Sequence, residues 1–403
     1  MGVTKTGVWD LQEVRDKQLA SEWAYDSDPD PGKIFVVGYN VNGTLGQNNN
    51  TSYSSPVQIP GTTWGAGTRY AETNQVFALK DGGLYAWGKN DNHGQLGVND
   101  TVSRSSPTQV GSATNWAAVT SGTSSYSTSM AANSDGELFA WGSGYAGTLG
   151  NNINGDTTPN WRFSSPVQIS GTNWSREINL FGNAAVALKT NGTLWLWGGN
   201  NSKVLCNDSS GASSPTQIGT DTTWNKVSRG GNAGEIYGIK TDGTLWAWGS
   251  NNKGQLGLNQ GFPALKAASS PTQVGTDTNW ANLGIGESSV VATKTNGTIW
   301  TWGDNNYGQL GLNSINDARS SPVQVGTDTN WHKSEFAPQQ YGAMVMKTNG
   351  EVYGWGRNNS GQLGQNQGPG GNTDARSSPV QIPGTYRSVN AAGDDAFSLG
   401  RPA

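Results

Sequence analysis

A segment of roughly fifty residues recurs seven times along this chain, and that recurrence limits the possible folds before any single motif is read. The clearest copies are TDGTLWAWGSNNKGQLG over residues 241–257 and TNGTIWTWGDNNYGQLG over residues 295–311. Others begin at Lys80, Ser134, Thr190 and Thr348, and a first copy reads GKIFVVGYNVNGTLG over residues 32–46. The residue before the central glycine is Val37, Trp87, Trp141, Trp197, Trp248, Trp302 and Trp355, at intervals of 50 to 56 residues. Each copy is followed by Ser-Ser-Pro, ending at Pro56, Pro107, Pro166, Pro215, Pro271, Pro322 and Pro379. A second aromatic comes next: Trp64, Trp116, Trp174, Trp224, Trp280, Trp331 and Tyr386. With Trp195, Trp246 and Trp300, these positions hold all but three of the 18 tryptophans.

Each copy reads as four short strands. Apolar runs such as AAVALK (184–189) and SVVATK (289–294) lead into Asp-Gly or Asn-Gly, and a period-two run such as TLWAWG (244–249) follows. The pairs are Asp81-Gly82, Asp135-Gly136, Asn191-Gly192, Asp242-Gly243, Asn296-Gly297 and Asn349-Gly350, and they predict two-residue type I′ hairpin turns. Proline after Ser-Ser suits an edge strand. Four-stranded units with this period are propeller blades, each covering its neighbours' faces.

Composition agrees. A chain with 58 glycines and only 33% hydrophobic residues resembles a disordered one, but the tryptophans each supply about 150–250 Å² of buriable surface. A net charge of −4 with no basic run argues against nucleic acid as a partner. The single cysteine, Cys206, rules out an intrachain disulfide framework. The N-terminal residues lack the apolar core of a secretion signal, and no apolar stretch is long enough for membrane insertion as a helix.

The WG…GQLG…SSP units over residues 32–400 resemble the repeat of the RCC1 (regulator of chromosome condensation) family. The resemblance implies an all-β, seven-bladed β-propeller whose sequence repeats are offset from its blades. The tail fits that offset: SVNAAGDDAFSLG (388–400) repeats the strand pair that precedes the turn, and its missing partner is the opening strand at Lys33. The expected organisation is an arm at residues 1–31 and a propeller at 32–403, closed by its terminal strands.

Motifs outside this scheme carry little. Gly142-Ser-Gly144-Tyr-Ala-Gly147 matches a dinucleotide-binding pattern but falls in a repeat loop, without the helix that gives those glycines meaning. Asp26, Asp28 and Asp30 lack the glycine and glutamate of a calcium loop, and His93 and His332 lie in different repeats. Neither a cofactor nor a metal is expected, and the chain reads as no enzyme. Cys206 takes the place of a repeat glycine, and the Asn-Gly-Thr sequences at Asn42, Asn191 and Asn296 include two of the hairpin turns.

The connections between Leu-Gly and Ser-Ser-Pro vary in length. Those at 151–163, 258–268 and 365–376 are longest and supply Trp161, Arg162, Phe163, Phe262 and Leu265 as candidate contacts. Residues 7–23 have helix-favouring composition, giving a partly helical arm in which Val8, Trp9, Leu11, Val14, Leu19 and Trp23 are candidate docking residues. Its Gly-Val-Trp-Asp-Leu-Gln start resembles structural proteins of tailed phages. On that ground the chain is expected to be a virion component, its arm bound to other virion proteins and its loops to a host-surface receptor. Alternatives are a soluble inhibitor or adhesin, since RCC1-like propellers include a secreted β-lactamase inhibitor, and a small-GTPase exchange factor, the role of the family's namesake. The acidic wedge that exchange requires matches no position here.

Overall fold

The computed structural model describes residues 34–400 except 39, 41, 65–68, 72–74, 123–126, 154–160, 201–203, 207–210, 231–233, 262, 340, 359–362, 364–374, 387 and 392–396. The arm, with its six docking candidates, and the acidic linker lie outside the described residues.

Twenty-eight strands follow one another with a single 3-10 turn, Tyr145–Gly147, among the described residues. A first pair is β1 (Phe35–Gly38) and β2 (Tyr53–Gln58). Six four-stranded antiparallel sheets follow in chain order. The first holds β3 (Arg69–Ala71), β4 (Gln75–Lys80), β5 (Gly83–Gly88) and β6 (Arg104–Gln109); the second β7 (Trp116–Ser121), β8 (Thr128–Asn133), β9 (Leu138–Ser143) and β10 (Arg162–Ile169). The third holds β11 (Trp174–Phe181), β12 (Ala184–Lys189), β13 (Leu194–Gly199) and β14 (Gly211–Gln217); the fourth β15 (Trp224–Arg229), β16 (Glu235–Lys240), β17 (Leu245–Ser250) and β18 (Ala267–Gln273). The fifth holds β19 (Trp280–Ile285), β20 (Ser289–Lys294), β21 (Ile299–Gly303) and β22 (Arg319–Gln324); the sixth β23 (Trp331–Gln339), β24 (Gly342–Lys347), β25 (Val352–Gly356) and β26 (Arg376–Ile382). A last pair is β27 (Ser388–Ala391) and β28 (Phe397–Gly400).

This is a β-propeller of six complete blades with a two-stranded sheet at each end of the chain. β27 and β28 are the first two strands of the unit, and β1 and β2 the last two. The described ladders join β27 to β28 and β1 to β2. The first strands of successive sheets lie side by side, from β3 against β7 through to β23 against β27, and form the inner wall.

The buried apolar residues fall into seven clusters, each between consecutive sheets. Phe77, Leu84 and Leu96 of the first blade meet Trp116, Val119 and Trp141 of the second. Val36 and Leu45 of the N-terminal half-blade pack on Trp64, Val76 and Trp87, while Val389 of the C-terminal half-blade packs with Met344, Ile382 and Tyr386.

The tryptophans before the central glycines are the deepest residues, with Trp87, Trp141, Trp197, Trp248, Trp302 and Trp355 all 0% exposed. Each donates its indole Nε1–H across the blade boundary to a carbonyl of the preceding repeat's loop: Thr44, Gln95, Thr148, Val204, Gln255 and Gln309, at 2.7–2.9 Å. The loop glycine beside that carbonyl has no room for a side chain: a Cβ on Gly97 would lie 2.6 Å from the Trp141 indole nitrogen.

Two local details differ from or refine the sequence reading. Only Asp81-Gly82 has positive φ at both central positions (51° and 77°), as a type I′ turn needs. In the other five turns only the glycine does, because the hairpin closes one residue wider, with the Lys189 N–H donating to the Thr193 carbonyl, for example. The extra residue (Ser134, Thr190, Thr241, Thr295, Thr348) turns these loops into the three-residue kind ending in a left-handed glycine. The glycine after each buried tryptophan also has φ between 89° and 99°, and the outer ladder shifts register there, opposite Ser-Ser-Pro. The proline-bearing outer strand is thereby a poor template for pairing with another chain.

Replacing Trp248 with Phe keeps most of the apolar contact but removes the indole hydrogen bond to the Val204 carbonyl, leaving it only the weak Cys206 thiol donor at 3.4 Å, so a loss of about 1–3 kcal/mol is expected by denaturant unfolding. We further expect the terminal half-blades to close the circle. Deleting the residues after Asn390 should then lower the melting temperature more than Trp248→Phe does, and unchanged melting would sink the closure.

Candidate functional site

In an antiparallel blade, the connections from first to second strand and from third to fourth leave at one end, and the hairpin turns and blade-to-blade links leave at the other. All the variable connections therefore gather at one end of the propeller, the loop end. A buried asparagine, not singled out by the sequence reading, pins every one of these loops from beneath except that of the second blade, where Gly144 takes its place. Asn90 Oδ1 accepts the Leu96 N–H (3.1 Å), while its Nδ2 donates to the Asp100 and Val102 carbonyls (2.9 and 3.2 Å). Asn251 does the same for Leu256, Gln260 and Leu265. Asn40 and Asn305 repeat the pattern, and Asn200 and Asn358 hold Leu205 and Leu363.

The candidate loop residues have different roles in this frame. Arg162 is exposed and stacks its guanidinium 4.4 Å from the Trp161 ring centroid, and Trp161 in turn lies 6.0 Å from the His93 ring of the preceding repeat. His93 Nδ1 is 2.8 Å from Asp91 Oδ1, and Lys89 is 3.1 Å from the other oxygen. Burial pushes the Asp91 carboxyl up, but the hydrogen bonds from His93 and Lys89 outweigh it and leave the group below the usual range. Phe163 packs beside Leu138, Ala140 and Leu149 in the core, so it supports Trp161 and Arg162 from within. Leu265 is half-buried and tied through its backbone to Gly261 and Asn251; Phe262 lies outside the described residues.

A second group lies at the same end, on the fourth to sixth blades. Tyr307 and Tyr341 stack at 4.8 Å, with the Arg357 guanidinium 5.7 and 5.3 Å from their centroids. Burial raises the Tyr341 hydroxyl above its ordinary pKa, and Glu287 adds to the shift. Glu235, the first residue of β16, is fully buried, and neither carboxyl oxygen has a hydrogen-bond partner among the described residues. Burial pushes it up to about 8, with Glu287 acting in the same direction.

The regulator of chromosome condensation (RCC1) repeat model matches residues 81–128, 242–292, 296–337 and 349–398, and a second model of that repeat matches 281–309. The matched segments take in nearly half of the chain. The chain is 27% identical over 317 residues to the ultraviolet-B receptor UVR8 of Arabidopsis thaliana, covering 77% of this chain and 68% of the receptor. It is 27% identical to the human E3 ubiquitin-protein ligase HERC2 over 83% of this chain, but spans only 7% of that protein. The crystal structure of Prp20p from Saccharomyces cerevisiae superposes with a TM-score of 0.69 at 17% identity, covering 91% of this chain and 90% of Prp20p, which is a likeness of fold.

These sequence relatives are a plant receptor and a human ubiquitin ligase, not virion proteins, and they overturn the expectation of a phage virion component. That expectation rested on a few arm residues, whereas the RCC1-repeat similarity runs over most of the chain. The RCC1 loops also account for two motifs. Gly142 lies in β9, and Gly144 and Gly147 bound the 3-10 turn of the third copy, their N–H groups donating to the Trp161 and Gly144 carbonyls and so not turned to a phosphate. Cys206 has the left-handed φ (57°) of the glycine it replaces, and burial pushes its thiol up to about 12, away from reactivity. Among the described residues no three His, Cys, Asp or Glu side chains converge as a metal site.

Glu235 makes stability depend on pH. Its carboxyl ionises near 4.5 in an unfolded chain and at about 8 in the fold, so between those values only the unfolded state has lost the proton. Stability from this group therefore falls as pH rises across that window, by up to about 1.4 kcal/mol per pH unit. Glu235→Gln should melt increasingly above wild type from pH 5 to pH 8. A constant difference across that range would show that the carboxyl does not titrate as described.

Proposed function

We propose that this chain is a non-enzymatic, protein-binding regulator that engages its partner with the loop end of the propeller. One observation carries the reading: connections of unequal length converge at that end on buried asparagine anchors, and one of them presents the Trp161–Arg162 stack over its neighbour's His93. A rigid scaffold with variable loops is a common way to build a binding surface. Tryptophan and arginine are the residues most often found to dominate interface energy. The net charge of −4 favours a protein partner over nucleic acid. The named relatives include a receptor, which supports the regulatory part of the reading, and Prp20p, of the same fold, is described as binding Gsp1p and histones.

The test is affinity capture with the intact chain, with each bound protein confirmed by reciprocal capture. Arg162→Ala and Trp161→Ala should each weaken the confirmed complex about tenfold or more, the effect of losing about 1.4 kcal/mol. Melting temperatures measured in parallel separate lost contact from lost fold. Equal affinity of both variants and wild type would move the interface away from this end.

A further inference from the structure

At the opposite end, where the hairpin turns lie, five of the six complete blades share one device. Two aromatic rings meet edge to face: Trp64 and Tyr85, Trp174 and Trp195, Trp224 and Trp246, Trp280 and Trp300, Trp331 and Tyr353, with centroids 5.4–6.2 Å apart. Over each pair sits the blade's own lysine ammonium, from the last residue of the second strand. Lys240 is 4.9 and 3.7 Å from its two centroids, Lys294 4.5 and 3.6 Å, Lys189 4.8 and 4.4 Å, and Lys347 5.1 and 4.6 Å; Lys80 lies 5.3 Å from Trp64. In three blades an aspartate from the incoming link completes the site: Asp221 on Lys240, Asp277 on Lys294 and Asp328 on Lys347, at 2.6–2.7 Å. A cation over an aromatic face is held by the ring quadrupole, and more strongly where water is excluded.

The second blade has the rings without the cation. Trp116 and Phe139 meet at 5.2 Å and 73°, but Asn133 stands where the lysine is and Ala113 where the aspartate is. Asn133 turns away from the rings: its Oδ1 accepts the N–H groups of Asp135 and Glu137, and its Nδ2 donates to Glu137 Oε2 at 2.7 Å. Among the described residues no cation lies over either ring. Trp116 is 8% exposed where its five tryptophan counterparts are 2–5%, and Phe139 is half-buried. Two carboxylates lie next to the pair in the chain: Asp135, in the hairpin turn, accepts from Asn115, and Glu137, two residues before Phe139, accepts from Asn133 and Gln168.

We propose that the Trp116–Phe139 pair is a seat for a lysine ammonium supplied by a basic segment of a partner protein. The other five blades identify the occupant, since the same ring geometry holds a lysine in each. The two carboxylates supply the charge complementarity that an internal aspartate supplies elsewhere. The proposal rests on the reading that the chain binds protein, and adds a second contact surface, at the other end of the propeller, with a defined chemistry.

The test needs no partner. The Trp116 indole N–H is buried without a hydrogen-bond partner, which makes its resonance a local reporter. Titrating the full chain with N-acetyl-lysine N-methylamide should shift that resonance, and the same probe acetylated at its side-chain nitrogen should not. Asn133→Lys gives the blade its own cation; it should reduce the probe's shift at least tenfold with melting unchanged or raised. Should that variant fold poorly, Asp135→Asn with Glu137→Gln removes the bordering charge and should weaken the response severalfold. No shift in wild type, an equal shift with the acetylated probe, or full response in a folded Asn133→Lys protein each overturns the seat. None of these bears on the loop end, which the Trp161 and Arg162 variants decide.

Discussion

The fold depends on an indole reaching across a blade boundary. A four-stranded sheet here has two apolar faces and cannot cover either alone. The tryptophan before each central glycine fills the space between neighbours, and its Nε1–H is satisfied by a carbonyl of the preceding repeat's loop. An unpaired donor at that depth would cost about 1–3 kcal/mol, so burial and hydrogen bonding act together. The interlock is nonlocal, spanning 43 to 49 residues in each case. It orders two repeats at once. The same loop then lies on the next repeat's Ser-Ser-Pro strand, where the Asn99 N–H donates to the Ser164 carbonyl and Asn259 to Ser320. Folding of one blade is thereby coupled to folding of the next.

The inner wall carries a second set of cross-links. Glu177 accepts the Val227 N–H while Asn179 donates to the Val227 carbonyl, so one blade holds both backbone groups of a residue on the next. Lys226 donates onward to the Ala281 carbonyl, and Glu335 accepts from Val389 of the C-terminal half-blade. Strands of neighbouring blades splay too far apart for a continuous ladder. Side chains supply the missing partners where the first strands come together.

Much of this was legible in the sequence because it is periodic. The interval between tryptophans, the turn glycines and Ser-Ser-Pro located the blades, and the resemblance to RCC1 repeats rested on the same residues. What stayed hidden was of two kinds. The asparagine beneath six of the loops looks like one polar residue among many, since its role depends on carbonyls that only folding brings within reach. The turn type was misread because one extra residue before Asp-Gly or Asn-Gly leaves the dipeptide unchanged while altering its hairpin. At the site, Trp161 and Arg162 could be picked out as departures from the pattern, but their approach to His93 of another repeat could not. The functional expectation failed where a handful of arm residues was weighed above the repeats.

Redundancy is what lets a repeat fold carry information. When the same lysine and aromatic pair recur in five blades, three of them with an aspartate, no single copy is essential to the architecture, and one blade can depart from the set without losing its shape. The second blade does so at both ends. It exchanges Lys and Asp for Asn133 and Ala113 at the turn end, and at the loop end a short 3-10 turn stands where its neighbours have the anchoring asparagine. The backbone bond of that position is kept, the Gly144 N–H donating to the Trp161 carbonyl at 2.7 Å as the Asn251 N–H does to the Lys266 carbonyl in the fourth blade, so only the side-chain anchor is given up. The neighbouring blades, built to pattern, hold the departing blade in register from both sides. Specificity in such a ring belongs at the copy that breaks the rule, because there a side chain is free of the packing duty its counterparts perform.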